Sequence, residues 1–264
     1  MAGATEAAGW RLGQTTENTL ERNDLNVVTE SSARTDRELP VVAVVGGVGS
    51  GKSSLARFVA QRFPAEIIDA DLLGHQVLQR EDVKRQIRER FDSEIFDAAG
   101  EIQRSALAKI VFGEDSRPLQ DLEAIVHPRI REAIRQRIEA AGKESNARAI
   151  LLDAAVLLES GWTDICDKIV FVDCAIDVRR QRVLARGWDA EQLHQREAKQ
   201  LPVDEKRRRA NFVINNDSDL QSAGNRLLQI VGEIADQFAK AGSTGSASVD
   251  HLPSDTSESV AFHD

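Results

Sequence analysis

Residues 46–53 read Gly-Gly-Val-Gly-Ser-Gly-Lys-Ser and follow directly on the apolar run 41–45. Glycines at these positions let a backbone curl until several N–H groups face one anion. In such a loop Lys52 reaches the β- and γ-phosphates of a nucleotide, and the Ser53 hydroxyl sits on Mg2+. The phosphates would lie against Gly47, Val48, Gly49, Ser50, Gly51, Lys52, Ser53 and Ser54. Leu55, Phe58, Val59 and Phe63 then recur at helical spacing, so the loop opens a helix whose N-terminus favours an anion. A glycine-rich turn that binds nothing is the plain alternative. The strand before it and the helix after it favour the phosphate site.

Asp69-Ala70-Asp71 follows the second apolar run, 66–68. In phosphoryl transfer the protein mainly positions the reactants, neutralises charge and orients the attacking hydroxyl. The Asp71 carboxylate suits proton acceptance, or Mg2+ held through water. It equally suits an N-cap for a helix starting at Leu72. Asp153 and Asp173 also end apolar runs, and spacing does not separate a metal helper from a turn residue. Arg179, Arg180, Arg182 and Arg186 lie in a helical stretch over 175–186. Arg182 and Arg186 are four apart and share a face, which suits a lid closing on a triphosphate or an ordinary solvated face. Lys206-Arg207-Arg208-Arg209, flanked by Asp204 and Glu205, reads as a solvated helix face touching at most nucleotide phosphate. His127-Pro128 separates two helical patterns, with Pro128 expected in a first turn. His127 either meets substrate or packs.

The elements that must position these residues alternate. Apolar runs at 41–45, 66–68, 149–152, 168–172 and 211–214 are separated by helical patterns. Strands buried on both faces and joined by helices predict a doubly wound parallel α/β sheet. Its ligand crevice lies at the carboxyl ends of the strands, where the loop and the aspartates fall. The stretch 72–140 is long for a crossover and reads as a helical insertion that binds the acceptor. Residues 1–38 and 241–264 are polar and read as disordered extensions, leaving a folded body over about 39–240. Trp10 and the cluster Leu25, Val27 and Val28 could still dock on it.

The chain has 264 residues, 41% of them hydrophobic, and a formal charge of −9. That balance argues against general nucleic-acid binding. Cys166 and Cys174 have no metal spacing and read as reduced thiols. No run is long enough for a membrane span, and the acidic N-terminus lacks an apolar targeting core. A cytoplasmic protein with no membrane or nucleic-acid partner is expected.

The landmarks together resemble the dephospho-CoA kinase family. They are the loop at 46–53; Ile68-Asp69-Ala70-Asp71; Gly100-Glu101-Ile102-Gln103-Arg104 with Leu107 and Val111-Phe112; His127-Pro128; Val156-Leu157-Leu158-Glu159; Arg182 through Arg186; and Val213-Ile214-Asn215-Asn216. The resemblance implies a P-loop kinase with a five-stranded parallel sheet flanked by helices, a helical CoA-binding insertion (about 72–140) and a lid (about 175–200). It implies phosphorylation of the ribose 3′-hydroxyl of dephospho-CoA by ATP with Mg2+. By the same resemblance the catalytic positions are Lys52, Asp71, Arg182 and Arg186, and the acceptor positions Asp71, His75, Arg104 and His127. Three positions depart from the family pattern: Ala155 for a frequent Pro, Ser54 for Thr, and His75 for a frequent Arg. Two other readings keep the loop: another nucleoside or nucleotide kinase, and a non-enzymatic nucleotide-binding adaptor.

Overall fold

Each of the five apolar runs becomes a strand, and all five pair in parallel. The computed structural model describes residues 37–91, 93–111, 113 and 115–245. β1 (Val41–Gly46) leads to α1 (Lys52–Ala60), and β2 (Ala65–Asp69) to α2 (Ala70–Val77), α3 (Glu81–Phe91), α4 (Arg104–Val111) and α5 (Arg117–Glu144). Then come β3 (Ala149–Asp153), β4 (Lys168–Asp173), α6 (Ile176–Leu184), α7 (Ala190–Glu197), α8 (Val203–Arg208), β5 (Phe212–Asn215) and α9 (Leu220–Gly245). The sheet order is β2-β3-β1-β4-β5.

Parallel strands need crossovers long enough to carry a helix, so helices cover both faces of this sheet. Strand residues alternate between the two cores. Val41, Ala43 and Val45 enter the layer that holds Val77, Ile130 and Ile134. Val42 and Val44 enter the layer formed by Leu55 and Val59 of α1 and Leu227, Ile230 and Val231 of α9. The registers align the strand ends. Asp153 lies opposite both Val44 and Asp69, and Asp173 opposite Asn215.

Helices α2–α5 fill the β2–β3 crossover. The proline expected in a first turn instead lies inside α5, a helix of 28 residues. Its buried positions Val126, Ile130, Ile134 and Ile138 keep a four-residue period across Pro128, so packing on the core holds the helix together. Pro128 has no N–H for the carbonyl four residues back. The neighbouring Ile125 carbonyl accepts from Arg129 Nη1 at 2.6 Å.

Both ends of the folded body extend past the expected limits. Arg37 donates to the Ile165 carbonyl at 2.5 Å and pairs with Asp167 at 3.2 Å. At the other end α9 continues to Gly245. Trp10, Leu25, Val27, Val28, Phe112 and the tail beyond 245 lie outside the described residues. Among the described residues no helix is long and apolar enough to cross a membrane.

Candidate active site

Gly51, at the N-cap of α1, has φ 96°, and a Cβ there would fall 2.5 Å from Asn216 Nδ2. Backbone conformation and close approach both demand glycine. Asn216 is buried just past β5, and its Nδ2 donates to the Ser50 carbonyl at 2.7 Å. Arg182 Nη1 donates to the same carbonyl at 3.3 Å, and Arg179 Nη1 to the Val48 carbonyl at 3.3 Å. In a trans peptide the C=O and the following N–H point opposite ways. Holding these two carbonyls therefore leaves the Gly49 and Gly51 N–H groups facing away from the holders, as an anion nest requires.

Lys52 Nζ donates to the Gly46 and Gly47 carbonyls, each at 3.2 Å. Burial lowers its pKa to about 8, with Lys206 and Arg179 pushing the same way and Asp153 and Asp71 opposing. The loop lysine and two carboxylates thus share one crevice.

Asp153 is buried at the end of β3, where burial raises its carboxyl and the neighbouring Ser53 side chain opposes that rise. Asp173 instead pairs with Arg207 at 2.7 Å. Geometry therefore separates the two strand-end aspartates that spacing leaves equivalent. Among the described residues no group of three His, Cys, Asp or Glu could enclose a metal. One hydroxyl beside one carboxylate fits Mg2+, which keeps waters and takes phosphate oxygens rather than an all-protein cage.

The capping role falls on Asp69. Its Oδ1 accepts from Leu72 N at 2.9 Å, and the helix starts at Ala70, not Leu72. Asp71 sits in the first turn with no side-chain hydrogen bond among the described residues. Loss of water around it and the Asp69 charge raise its carboxyl; Lys52, His75 and Arg196 oppose. His75 lies one turn further along α2, and its Nε2 is 2.6 Å from Arg104 Nη2.

Arg104 reaches that point because of a local fold that explains the glycine landmark. Asp97 Oδ1 accepts from the N–H groups of Ala99 and Glu101, each at 2.9 Å, and Gly100 turns with φ 82°. Phe96 and Ile102 then form an antiparallel bridge, Ile102 is buried, and α4 begins at Arg104.

The remaining predicted positions diverge. Arg182 holds the Ser50 carbonyl and donates to the Asn216 carbonyl at 2.8 Å. Arg186 lies beyond the end of α6, exposed, and makes no side-chain hydrogen bond or ion pair among the described residues. The helix stops too early for the two to share its face. His127 packs edge-on against Trp162, 5.3 Å between centroids, and burial lowers its pKa. It lines a separate cleft with Arg131 and Arg135.

In the basic run at 206–209, Arg207, Arg208 and Arg209 lie on the exposed face expected of it, and Lys206 departs by turning inward. Lys206 is fully buried, pairs with Glu159 at 2.8 Å, and donates to the Ala155 carbonyl at 3.0 Å. Arg208 and Arg209 both pair with Glu205. The turn of α8 sends one cation of the run inward. Sequence reasoning placed Arg179 in the basic helical stretch without a role of its own and passed over Arg196. Arg196 lies against the Trp188 ring at 4.0 Å and lends positive charge to Asp71. The signal available for it was a cation eight residues beyond an aromatic in the expected lid.

Comparison with known proteins gives the family. Residues 40–222 match the family model for dephospho-CoA kinase. The dephospho-CoA kinase of Dehalococcoides mccartyi is 32% identical over 188 residues, covering 70% of this chain and 93% of that protein. The dephospho-CoA kinase of Corynebacterium diphtheriae is 34% identical over 178 residues, 67% of this chain and 88% of that protein. A crystal structure of a Thermus thermophilus protein superposes with TM-score 0.63 at 29% identity, covering 75% of this chain and 99% of that one. The chain belongs to the dephospho-CoA kinase family.

Proposed function

We propose that the chain transfers the γ-phosphoryl group of ATP to the ribose 3′-hydroxyl of dephospho-CoA, giving coenzyme A and ADP. The observation that carries this reading, beyond family membership, is the shared crevice. There the loop after β1, Asp153 at the end of β3 and α2 after β2 lie at the carboxyl ends of three neighbouring strands, and the charges of Lys52 and Asp71 bear on each other. A donor held by the loop would present its terminal phosphate to an acceptor held beside α2.

The roles follow from chemistry. Lys52 neutralises β/γ charge, and the loop N–H groups bind the phosphates. Ser53, with Asp153 behind it, would hold Mg2+, which neutralises the charge that grows on the phosphate oxygens. The 3′-oxygen bonds to Pγ as the bond from Pγ to the bridging oxygen breaks, and the hydroxyl proton passes to Asp71. A carboxyl whose pKa is raised is a better-matched base. The His75–Arg104 pair, one turn from Asp71, is placed to bind the acceptor. Helices α2–α5 serve as the CoA-binding insertion, and residues 175–200 as the lid. His127, in its separate cleft, has no part in the transfer step.

A coupled ATPase assay with dephospho-CoA and a panel of nucleosides and nucleotides tests the reading. ADP release should require dephospho-CoA, and the product should carry its new phosphate on the 3′-oxygen by NMR. Turnover with a nucleoside instead would favour the other kinase reading. Binding of ATP without turnover of any acceptor would favour an adaptor.

A further inference from the structure

Arg179 projects from α6, yet its guanidinium is buried behind the phosphate loop. Nε donates to the Cys174 carbonyl at 3.1 Å and Nη1 to the Val48 carbonyl at 3.3 Å. Nη1 also pairs with Glu197, the last residue of α7. The approach to the loop is tight: a Cβ on Gly47 would fall 2.7 Å from Nη1.

A buried guanidinium needs both a counter-charge and carbonyl acceptors. The counter-charge comes from α7, and one of the acceptors is the loop itself. The other side-chain hydrogen bonds of α7 among the described residues stay within 189–195, and Arg196 adds a charge interaction with Asp71. Asp189 and Gln192 form a capping box, Gln195 bonds Glu191, and Arg196 lies on Trp188. The Arg179–Glu197 pair is therefore the polar link from this helix to the loop.

We propose that Arg179, with Glu197 as its partner, is a positioning residue that couples the docking of α7 to the shape of the phosphate-binding loop. The proposal rests on the reading that residues 46–53 bind ATP. Holding the Val48 carbonyl turns the Gly49 N–H away from Arg179, so that it is set before nucleotide arrives. Glu197 keeps the guanidinium charge compensated in that place. By linkage, nucleotide that orders the loop must tighten α7, and α7 that docks must tighten nucleotide binding by the same factor.

The test uses the full chain, a non-hydrolysable ATP analogue and four variants: Glu197→Ala, Glu197→Asp, Arg179→Met and the double substitution Glu197→Ala/Arg179→Met. Calorimetry gives nucleotide affinity, and tryptic cleavage after exposed Arg186 reports the lid segment. In the natural chain the analogue should protect Arg186. Glu197→Ala should weaken the analogue about tenfold, within the usual range of coupling between sites, and abolish the protection. The KM for dephospho-CoA should hardly change. Glu197→Asp should restore part of both effects. The double variant should be no worse than Arg179→Met, because the two residues act through one contact.

Natural affinity and protection in Glu197→Ala would overturn the proposal, and so would strictly additive losses. Should either single variant fail to fold, the double variant decides, because it removes the buried cation together with its partner and strands no charge; natural affinity and protection in it would overturn the proposal. If the natural chain bound no nucleotide, the functional reading would fall and take this inference with it. A natural chain that binds nucleotide but shows no coupling overturns the inference alone.

Discussion

Asp69 and Asp71, two residues apart, do different work. Asp69 caps α2 through Leu72 N, and asparagine caps as well as aspartate. Asp69→Asn should therefore preserve the fold and, by removing a neighbouring negative charge, lower the Asp71 pKa. Asp71→Asn should cut kcat by about 10²–10⁴-fold, the usual loss on removing a general base, with ATP affinity nearly unchanged. Steady-state kinetics on both variants checks the assignment, and the reverse order of effects would move the base to Asp69. Lys52 gives a pH prediction. Its pKa of about 8 in the free protein should rise when phosphates bind, because anions favour the ammonium form. Binding then takes up a proton, so ATP affinity should be flat well below pH 8 and fall as pH rises through it. Calorimetry at pH 8 in buffers of different ionisation enthalpy should show the uptake, and Lys52→Met should lack it.

Helix α1 can follow the phosphate loop only because α9 admits it closely. A Cβ on Gly224 would fall 2.4 Å from Cδ1 of the buried Phe58 ring. Overpacking of this kind costs about 1–3 kcal/mol, more than the gain of up to about 1 kcal/mol from replacing a helical glycine by alanine. Gly224→Ala should lower Tm, and Phe58→Leu in the same chain should recover part of the loss. The end of α6 sorts the lid arginines. Arg182 grips two loop-side carbonyls, so Arg182→Ala should weaken ATP binding as well as kcat. On the proposed reading of 175–200 as a lid, Arg186, outside the helix and exposed, would meet phosphate on closure. Arg186→Ala should lower kcat with ATP affinity little changed. A change confined to the KM for dephospho-CoA would place Arg186 on the acceptor side.

In the molecule as a whole, the parallel sheet gathers the chemistry at one edge, and its first strand is fixed from outside. Asp167 Oδ2 accepts from Val41 N at 2.7 Å while Asp167 Oδ1 pairs with Arg37. A chain beginning at Arg37 should keep the Tm and kcat of the full chain, since residues 1–36 have the polar composition of a segment that adds little to a core. Arg37→Ala in that shorter chain should cost about 0.5–1.5 kcal/mol for the lost hydrogen bonding, read as a lower denaturant midpoint. An equal loss on removing 1–36 alone would show that those residues contribute to the fold.

The sequence by itself determined the strands, the loop and their order. A parallel strand buried on both faces must be an apolar run, and a phosphate loop must carry glycines at fixed spacing, so both are written locally. It also brought the aspartates to one end of the sheet, because each directly follows its run. Only the tertiary structure decided which aspartate does what. Asp153 rather than Asp173 meets Ser53 because β3 and β4 flank β1 on opposite sides. Asp69 rather than Asp71 caps because α2 starts two residues earlier than its apolar spacing indicated. Lys206 is buried and Arg179 is wedged under the loop because their partners lie far away in the chain. Glu159 is such a partner, and so is the Val48 carbonyl, 131 positions from Arg179. Local spacing sets which way a backbone runs; a counter-charge arriving from another element settles where a cation ends up, and no local pattern encodes that meeting.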